Sequence, residues 1–343
     1  MIKITSKSIV YVVCPLGIQT GGTELCHQLV DYLNSKGRIS YMAYVSENYE
    51  IIEAEVPSSF QKYNVKVCSE IINAKDNIIV FPETLLHLTK ILNCDKMNYI
   101  FWWMSLDNYF FISSIFGYVK FKGKTLRGIM RKAINAVIRK YPTMTFAELR
   151  KLENRSINVF QSSYANHFLL NQKIYNQLSL SDYINLEFVN EEHDPVTKED
   201  IILYNPIKGF EVTKKIMERM KGYNFVPLVN LDRSELQDLM RRAKLYIDFG
   251  NHPGKDRIPR EAVINDCCII VGKNGSANYF QDVPIYEAYK FDNKDIALVC
   301  DRIAYVIDNY NTCINDFNLI KKNILKEKTI FEEEIDNIFF NPI

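Results

Sequence analysis

Several common signals are missing from this chain of 343 residues. The eight cysteines (14, 26, 68, 94, 267, 268, 300 and 313) form no CxxC pair, and some sit inside apolar runs such as VYVVC and CCIIV. That usage speaks against a zinc ribbon or a disulfide framework and for buried free thiols in a reducing compartment. The five histidines are scattered, and no His/Cys cluster has ligand spacing, so no metal cofactor is expected. No apolar run approaches the ~18–20 residues that cross a bilayer. The segment SIVYVVCPL has no small-residue cleavage site after it, which points to the cytoplasm. A formal net charge of only +1 argues against nucleic-acid binding driven by overall charge. Neither GxGxxG nor a Walker P-loop occurs, which disfavours a dinucleotide-dependent oxidoreductase.

What is present describes a well-packed α/β protein. Hydrophobic residues make up 47% and aromatic residues 13%, and the length exceeds one ordinary core, so two domains are expected. Residues 8–14 (SIVYVVC) suit a buried parallel strand. A loop with Gly17, Gly21 and Gly22 follows, then a helix carrying Leu25, Leu29, Val30 and Leu33 and ended by Gly37. Strand, glycine loop and helix open a doubly wound fold, although the same glycines could merely pack a helix on a strand. Further strands are expected at 40–45, at 77–81, in the run YIFWW from 99, and at 157–163. Glu83 and Asp107 then fall just past strand ends, and Trp102 and Trp103 stand at that edge, where their rings could stack on a sugar or, more simply, fill the core.

Residues 117–155 are rich in Lys and Arg, and apolar positions from 126 to 138 recur at helical spacing. A basic amphipathic helix of this kind suits an anionic membrane surface, here through 117–140, or a solvated helix packed on its domain. The polar stretch 181–201 with Pro195 is the linker candidate, giving an N-terminal domain 1–190 with the basic insertion and a C-terminal domain 196–343 whose last helix could pack back on the first. The second half restarts the pattern with IILYNPIKG, NFVPLVN and a helix opened by Asp232 or Ser234 ahead of Glu235. At its centre lies YIDFGNHPGKDRIPREAVINDCCIIVGKNGSANYF (246–280), in which a short helix starts at the carboxyl end of a strand. Ligands bind in that crevice of an open α/β sheet, and a helix N-terminus there favours phosphate. The bland alternative is an ordinary charged loop.

The order GGTE, YNPIKG, LVNLDRSELQDLMRRAKLYIDFG and HPGKDRIPREAVINDCCIIVGKNGSA resembles bacterial glycosyltransferases of the GT-B fold, of the type that builds capsule and lipopolysaccharide (the group 1 glycosyl transferases). The resemblance covers most of the second half but only GGTE and the strand order of the first. It implies two Rossmann-like doubly wound domains facing a cleft, a nucleotide-sugar donor and a glycan or lipid-linked acceptor. By that resemblance Lys208 neutralises the donor diphosphate, Glu261 accepts from the donor ribose, and backbone N–H groups of Gly275 and Ser276 face the donor sugar and phosphate. Gly21 and Gly22 let the acceptor side approach. Pro253 stands where many retaining members carry the first of two glutamates.

Glycosyl transfer gathers negative charge on a departing diphosphate, and Lys208, Arg257, Arg260 and a helix N-terminus could stabilise it without a metal. No Asp-x-Asp of the metal-dependent transferases is present. An inverting reaction would need a base, for which Asp107 comes first and Glu83 second; His252 beside the donor loop is the histidine to test. The favoured reading is a cytoplasmic glycosyltransferase at the inner membrane face. A non-hydrolysing nucleotide-sugar 2-epimerase and a non-catalytic nucleotide-sugar-binding protein stand as alternatives.

Overall fold

The computed structural model describes residue 2 and residues 4–113, 143–186 and 197–341. The expected basic helix at 117–140 and most of the linker, 187–196, lie outside the described residues. The chain divides into two compact units, Met1–Asp182 with Thr329–Ile343, and Tyr183–Lys328.

The first unit is built on strands β1 (Val10–Pro15), β2 (Ser40–Val45), β3 (Ile51–Ile52), β4 (Ile78–Pro82), β5 (Asn98–Trp103), β6 (Ser156–Phe160) and β7 (Gln177–Ser179), in the order β3-β2-β1-β4-β5-β6-β7. All neighbours run parallel except the edge pair β2–β3. β1 and β4 are near-continuous apolar runs because a parallel strand covered on both faces has no polar side to show. Among the described residues its helices are α1 (Gly21–Ser35), α2 (Leu106–Ser113), α3 (Phe146–Lys151) and α4 (Ser163–Asn171). Thr20 opens α1 in a capping box with Thr23, and Leu25, Leu29 and Leu33 are buried.

Trp102 and Trp103 are both fully buried, each indole N–H satisfied at 3.0 Å, by the Leu180 carbonyl and the Asn158 side chain respectively. Their faces are therefore closed to a sugar, and the stacking option is corrected: two large rings inside a central strand gain more by filling the core. The segment 329–343 belongs to this unit through specific contacts. Phe331 stacks on Trp102 with ring centroids 6.4 Å apart. The Glu334 carboxylate accepts from the Ser181 N–H at 2.6 Å and from the Ser179 and Ser181 hydroxyls, and Arg38 donates to the Phe339 carbonyl at 2.5 Å.

The second unit carries β8 (Glu199–Tyr204), β9 (Asn224–Pro227), β10 (Ala243–Asp248), β11 (Cys268–Gly272) and β12 (Lys290–Phe291), all parallel, in the order β12-β11-β10-β8-β9. Its longer helices include α5 (Phe210–Arg219), α6 (Arg233–Arg242), α7 (Arg257–Ile264) and α8 (Ile296–Asp308). The long α9 (Asn318–Phe339) begins in this unit and ends in the first. Asp232 and Glu235 form the capping box that starts α6. The chain leaves β8 toward β9 on one side and returns to β10 on the other, so the strand order reverses between β8 and β10. In the first unit the same reversal lies between β1 and β4. Ligands bind outside the carboxyl ends of the strands at such points. Among the described residues no helix is long and apolar enough to cross a membrane.

Trp102→Ala should destabilise the protein by about 3–5 kcal/mol, since it removes a fully buried ring and orphans the Leu180 carbonyl. Equilibrium urea unfolding followed by tyrosine fluorescence would show the lowered midpoint; an unchanged midpoint would contradict this packing.

Candidate functional site

At the reversal in the second unit, three backbone segments meet. After β8, the Asn205 side chain accepts the N–H groups of Ile207 and Lys208, both at 2.9 Å, and so folds the turn that presents Lys208. Gly209 follows with φ +67°, and a Cβ there would lie 2.3 Å from the Phe249 carbonyl carbon. Only glycine lets this turn lie against the loop that leaves β10. After β11, Gly275 has φ +56°, and a Cβ on it would lie 2.0 Å from the His252 carbonyl oxygen. Gly209 and Gly275 thus clamp the 249–256 loop from two sides.

Side chains complete the clamp. The Ser276 N–H donates to the His252 carbonyl at 2.9 Å and its hydroxyl to Gly254 at 2.6 Å. Arg260 donates to the carbonyls of Lys255 (3.0 Å) and Asp256 (3.2 Å) and pairs with Glu327 of α9 at 2.7 Å, almost fully buried. These findings correct two expectations. Both donors of Ser276 hold the loop and do not face a ligand. Arg260 is a structural tie as well, because a buried guanidinium is stable only when its donors are met, and here protein oxygens meet them.

Beneath the loop lies a line of charge. Asp248, at the end of β10, accepts from the Tyr246 hydroxyl and the Gly250 N–H, both at 2.8 Å. His252 is 1% exposed, with Nε2 3.8 Å from Asp248 Oδ1 and Nδ1 3.3 Å from Asp256 Oδ2. The same Asp256 oxygen accepts from Lys208 Nζ at 2.8 Å. Burial alone would lower the His252 pKa, but the hydrogen bond to Asp256 and the charges of Asp248 and Asp256 outweigh it and raise it above the ordinary value. Burial likewise pushes Asp256 up, and His252 and Lys208 more than reverse it, leaving that carboxyl below its usual range. Asp248, His252 and Asp256 bring one ligand atom each within 4.8 Å of one another, a spacing open to a cation. The Lys208 ammonium already holds the outer oxygen, so the group reads as an ion-pair relay. His252, an expected catalytic residue, is covered by the loop and reaches outward only through Asp256.

Asp256 stands at the N-cap of α7 but makes no side-chain cap hydrogen bond, its carboxylate being turned to Lys208 and His252. On the first turn and a half of α7, Arg257 and Glu261 face each other at 3.5 Å. They line a pocket of about 460 Å³ whose apolar wall includes Leu231, Leu236, Met240, Ile258 and Ile264. The sequence pointed to Glu261 and Arg257, but not to this pocket, because Ile184–Leu186 and the start of α6 reach it from distant parts of the chain.

In the first unit, Gly21 and Gly22 form the first turn of α1 at the carboxyl end of β1. A Cβ on Gly22 would meet Met104 Sδ at an ordinary 3.5 Å, so space alone does not demand glycine there. Glu83 follows β4 and accepts from the Met104 N–H at 3.1 Å; Asp107, in the first turn of α2, accepts from the Tyr164 hydroxyl at 2.7 Å. The two carboxylates are 3% and 2% exposed, which leaves neither presented as a base to solvent in this conformation. Burial raises the Glu83 pKa to about 8, only partly offset by backbone N–H groups. Burial thus favours the protonated form of Glu83.

A folded-state pKa raised from 4.5 to about 8 means that the native state holds a proton the unfolded chain releases. That contribution is fully present below pH 4.5 and is lost as pH rises through 8. Glu83→Gln should remove the loss, so the variant gains on the parent by a few kcal/mol between pH 5 and 9. Thermal unfolding of both proteins across that range tests it, and parallel curves would refute the burial argument.

No protein-family model matches the chain, and no curated protein matches it in sequence. Solved structures do. The lipopolysaccharide outer core galactosyltransferase WaaB superposes with a TM-score of 0.61 at 10% identity, covering 98% of this chain and 100% of that one. HepE from Anabaena, solved with UDP-glucose, gives 0.60 at 10% identity over 96% and 99% of the two chains. TarM from S. aureus, in complex with fondaparinux, α-GlcNAc-glycerol and UDP, gives 0.53 at 13% identity over 79% of this chain. This chain spans only 56% of TarM's length. The two largely parallel sheets and these superpositions give the chain the GT-B fold, with a Rossmann-like sheet in each of its two units.

Proposed function

We propose that this protein is a glycosyltransferase that takes a sugar from a nucleoside-diphosphate donor and passes it to a glycan or lipid-linked acceptor in bacterial surface polysaccharide synthesis. The observation that carries the reading is the pocket of the second unit, which has Glu261 and Arg257 in its wall, Arg257 following the Asp256 carboxylate that Lys208 holds. At about 460 Å³ it lies within the ordinary range for ligand sites and is mostly apolar with a few placed polar groups. A base would lie against Leu236, Met240 and Ile258, and ribose hydroxyls would donate to the Glu261 carboxylate. The diphosphate would then meet Arg257, Lys208 and the N-terminus of α7, where no aspartate side chain caps the first N–H groups.

Chemically, these groups act on the leaving oxygen. As the glycosidic bond breaks, negative charge moves onto the diphosphate while the sugar turns cationic, and fixed cations at the phosphates lower that barrier. The 249–256 loop against which they lie is pinned by Ser276 and Arg260, so little reorganisation accompanies the reaction. We take the positive charge of Lys208, Arg257 and the helix end to replace a metal. The solved neighbours that carry UDP or UDP-glucose support this donor class.

Two measurements check the reading. In a thermal-shift screen of nucleotide sugars, one donor class should raise the melting temperature by mass action, equally with EDTA present, and Glu261→Ala and Lys208→Ala should each lose most of the shift. No shift from any donor would sink the proposal, and a bound donor that stays intact with every acceptor would favour a non-catalytic binder. Association with an anionic membrane at the cytoplasmic face is proposed from the basic 117–140 segment. A charge-reversed variant of that segment should lose sedimentation with phosphatidylglycerol vesicles; equal binding would remove the membrane from the account.

A further inference from the structure

The relay under the loop holds a histidine that touches no ligand-facing surface and yet lies one residue from the charge that does. Three groups face the His252 imidazole. Asp248 reaches it from β10, with the Tyr246 hydroxyl behind it; Asp256 comes from its own loop; Lys208 stands beyond Asp256 on the turn after β8. The Gly275–Ser276 segment lies against the His252 backbone, where the Ser276 N–H donates to the His252 carbonyl. His252 Nε2 has no hydrogen-bond partner among the described residues. A neutral ring could leave that nitrogen buried as an unpaired acceptor facing a carboxylate, whereas an imidazolium puts an N–H toward Asp248 and another toward Asp256.

We propose that His252 is a positioning residue for diphosphate binding: its charged ring holds the Asp256 carboxylate and thereby sets how much of the Lys208 charge is left for a phosphate. The inference rests on the donor-site reading of Lys208. The charge count gives its direction. With His252 charged, the relay carries two carboxylates and two cations, and Asp256 is shared between them. With His252 neutral, Lys208 faces the Asp256 carboxylate alone and the relay carries one net negative charge, which opposes an incoming diphosphate in a poorly screened site. The two carboxylates facing the ring favour its charged form and hold His252 above its ordinary pKa. Asp256 Oδ2 is the shared atom through which the effect passes, at 3.3 Å from the ring and 2.8 Å from the ammonium.

The test has one arm with ligand and one without. UDP-glucose is the probe, because its diphosphate keeps the same charge between pH 5.5 and 8.5. Its affinity for the parent, measured calorimetrically, should fall about tenfold as pH rises through the His252 titration. His252→Gln, or His252→Asn should the first fold poorly, should bind weakly at all pH values with a flat profile. Without ligand, NMR of histidine-labelled protein should show His252 titrating above the usual histidine range, and Asp256→Asn should move that titration to lower pH. A His252 variant that keeps the parent's pH profile, or a His252 titration indifferent to Asp256→Asn, would overturn the inference while loss of binding in Lys208→Ala left the donor site standing. A parent protein that binds neither UDP-glucose nor any other nucleotide sugar would overturn both.

Discussion

The candidate site depends on how closely three pieces of backbone approach one another. The turn after β8, the loop after β10 and the turn after β11 meet at distances where a single added methyl group at Gly209 or Gly275 would overlap a neighbouring backbone atom. Asp248, His252 and Arg260 are buried around the 249–256 loop, and burial strengthens each charge interaction made there. His252, Asp248 and Arg260 can remain buried because the same closeness supplies partners for nearly every donor and acceptor around them. Loosening the glycines would open the loop and hydrate the relay together.

This arrangement divides labour between two kinds of cation. Arg260 lies inside, bound to two loop carbonyls and to Glu327, and contributes rigidity. Lys208 and Arg257 lie outside, at 42% and 30% side-chain exposure, each against a carboxylate that a phosphate could compete with. Exposed ion pairs of that kind contribute little to stability, which makes them suitable to exchange partners on binding. The planar fork of Arg260 suits the fixed role, since its several donors reach two carbonyls and a carboxylate at once.

Much of the fold was legible in the residues. β1, β4, β10 and β11 appear as short β-branched or apolar runs because they are covered on both faces, and the capping box at Asp232 and Glu235 marked the start of α6. The short strands β3, β7 and β12 left no such mark: two or three residues at a sheet edge carry too little pattern to separate from a loop. Trp102 and Trp103 show the same limit from the other side, since a tryptophan beside a strand end reads equally as platform or as core until its neighbours are known.

By itself the sequence determined that two α/β halves would form, where their glycine turns and strand ends would fall, and that Arg257 and Glu261 would stand near a helix N-terminus. These are local consequences of periodicity, backbone freedom and capping, and all are written within a few residues. Only the tertiary structure decided which charges face outward. Arg257 and Arg260 are three residues apart on one helix, yet one lines the pocket and the other is buried against Glu327, 67 residues away. Ser276 spends its donors on the loop and His252 is sealed under it for the same reason. Burial and pairing arise from segments distant in the chain, and no local pattern encodes which of them will meet.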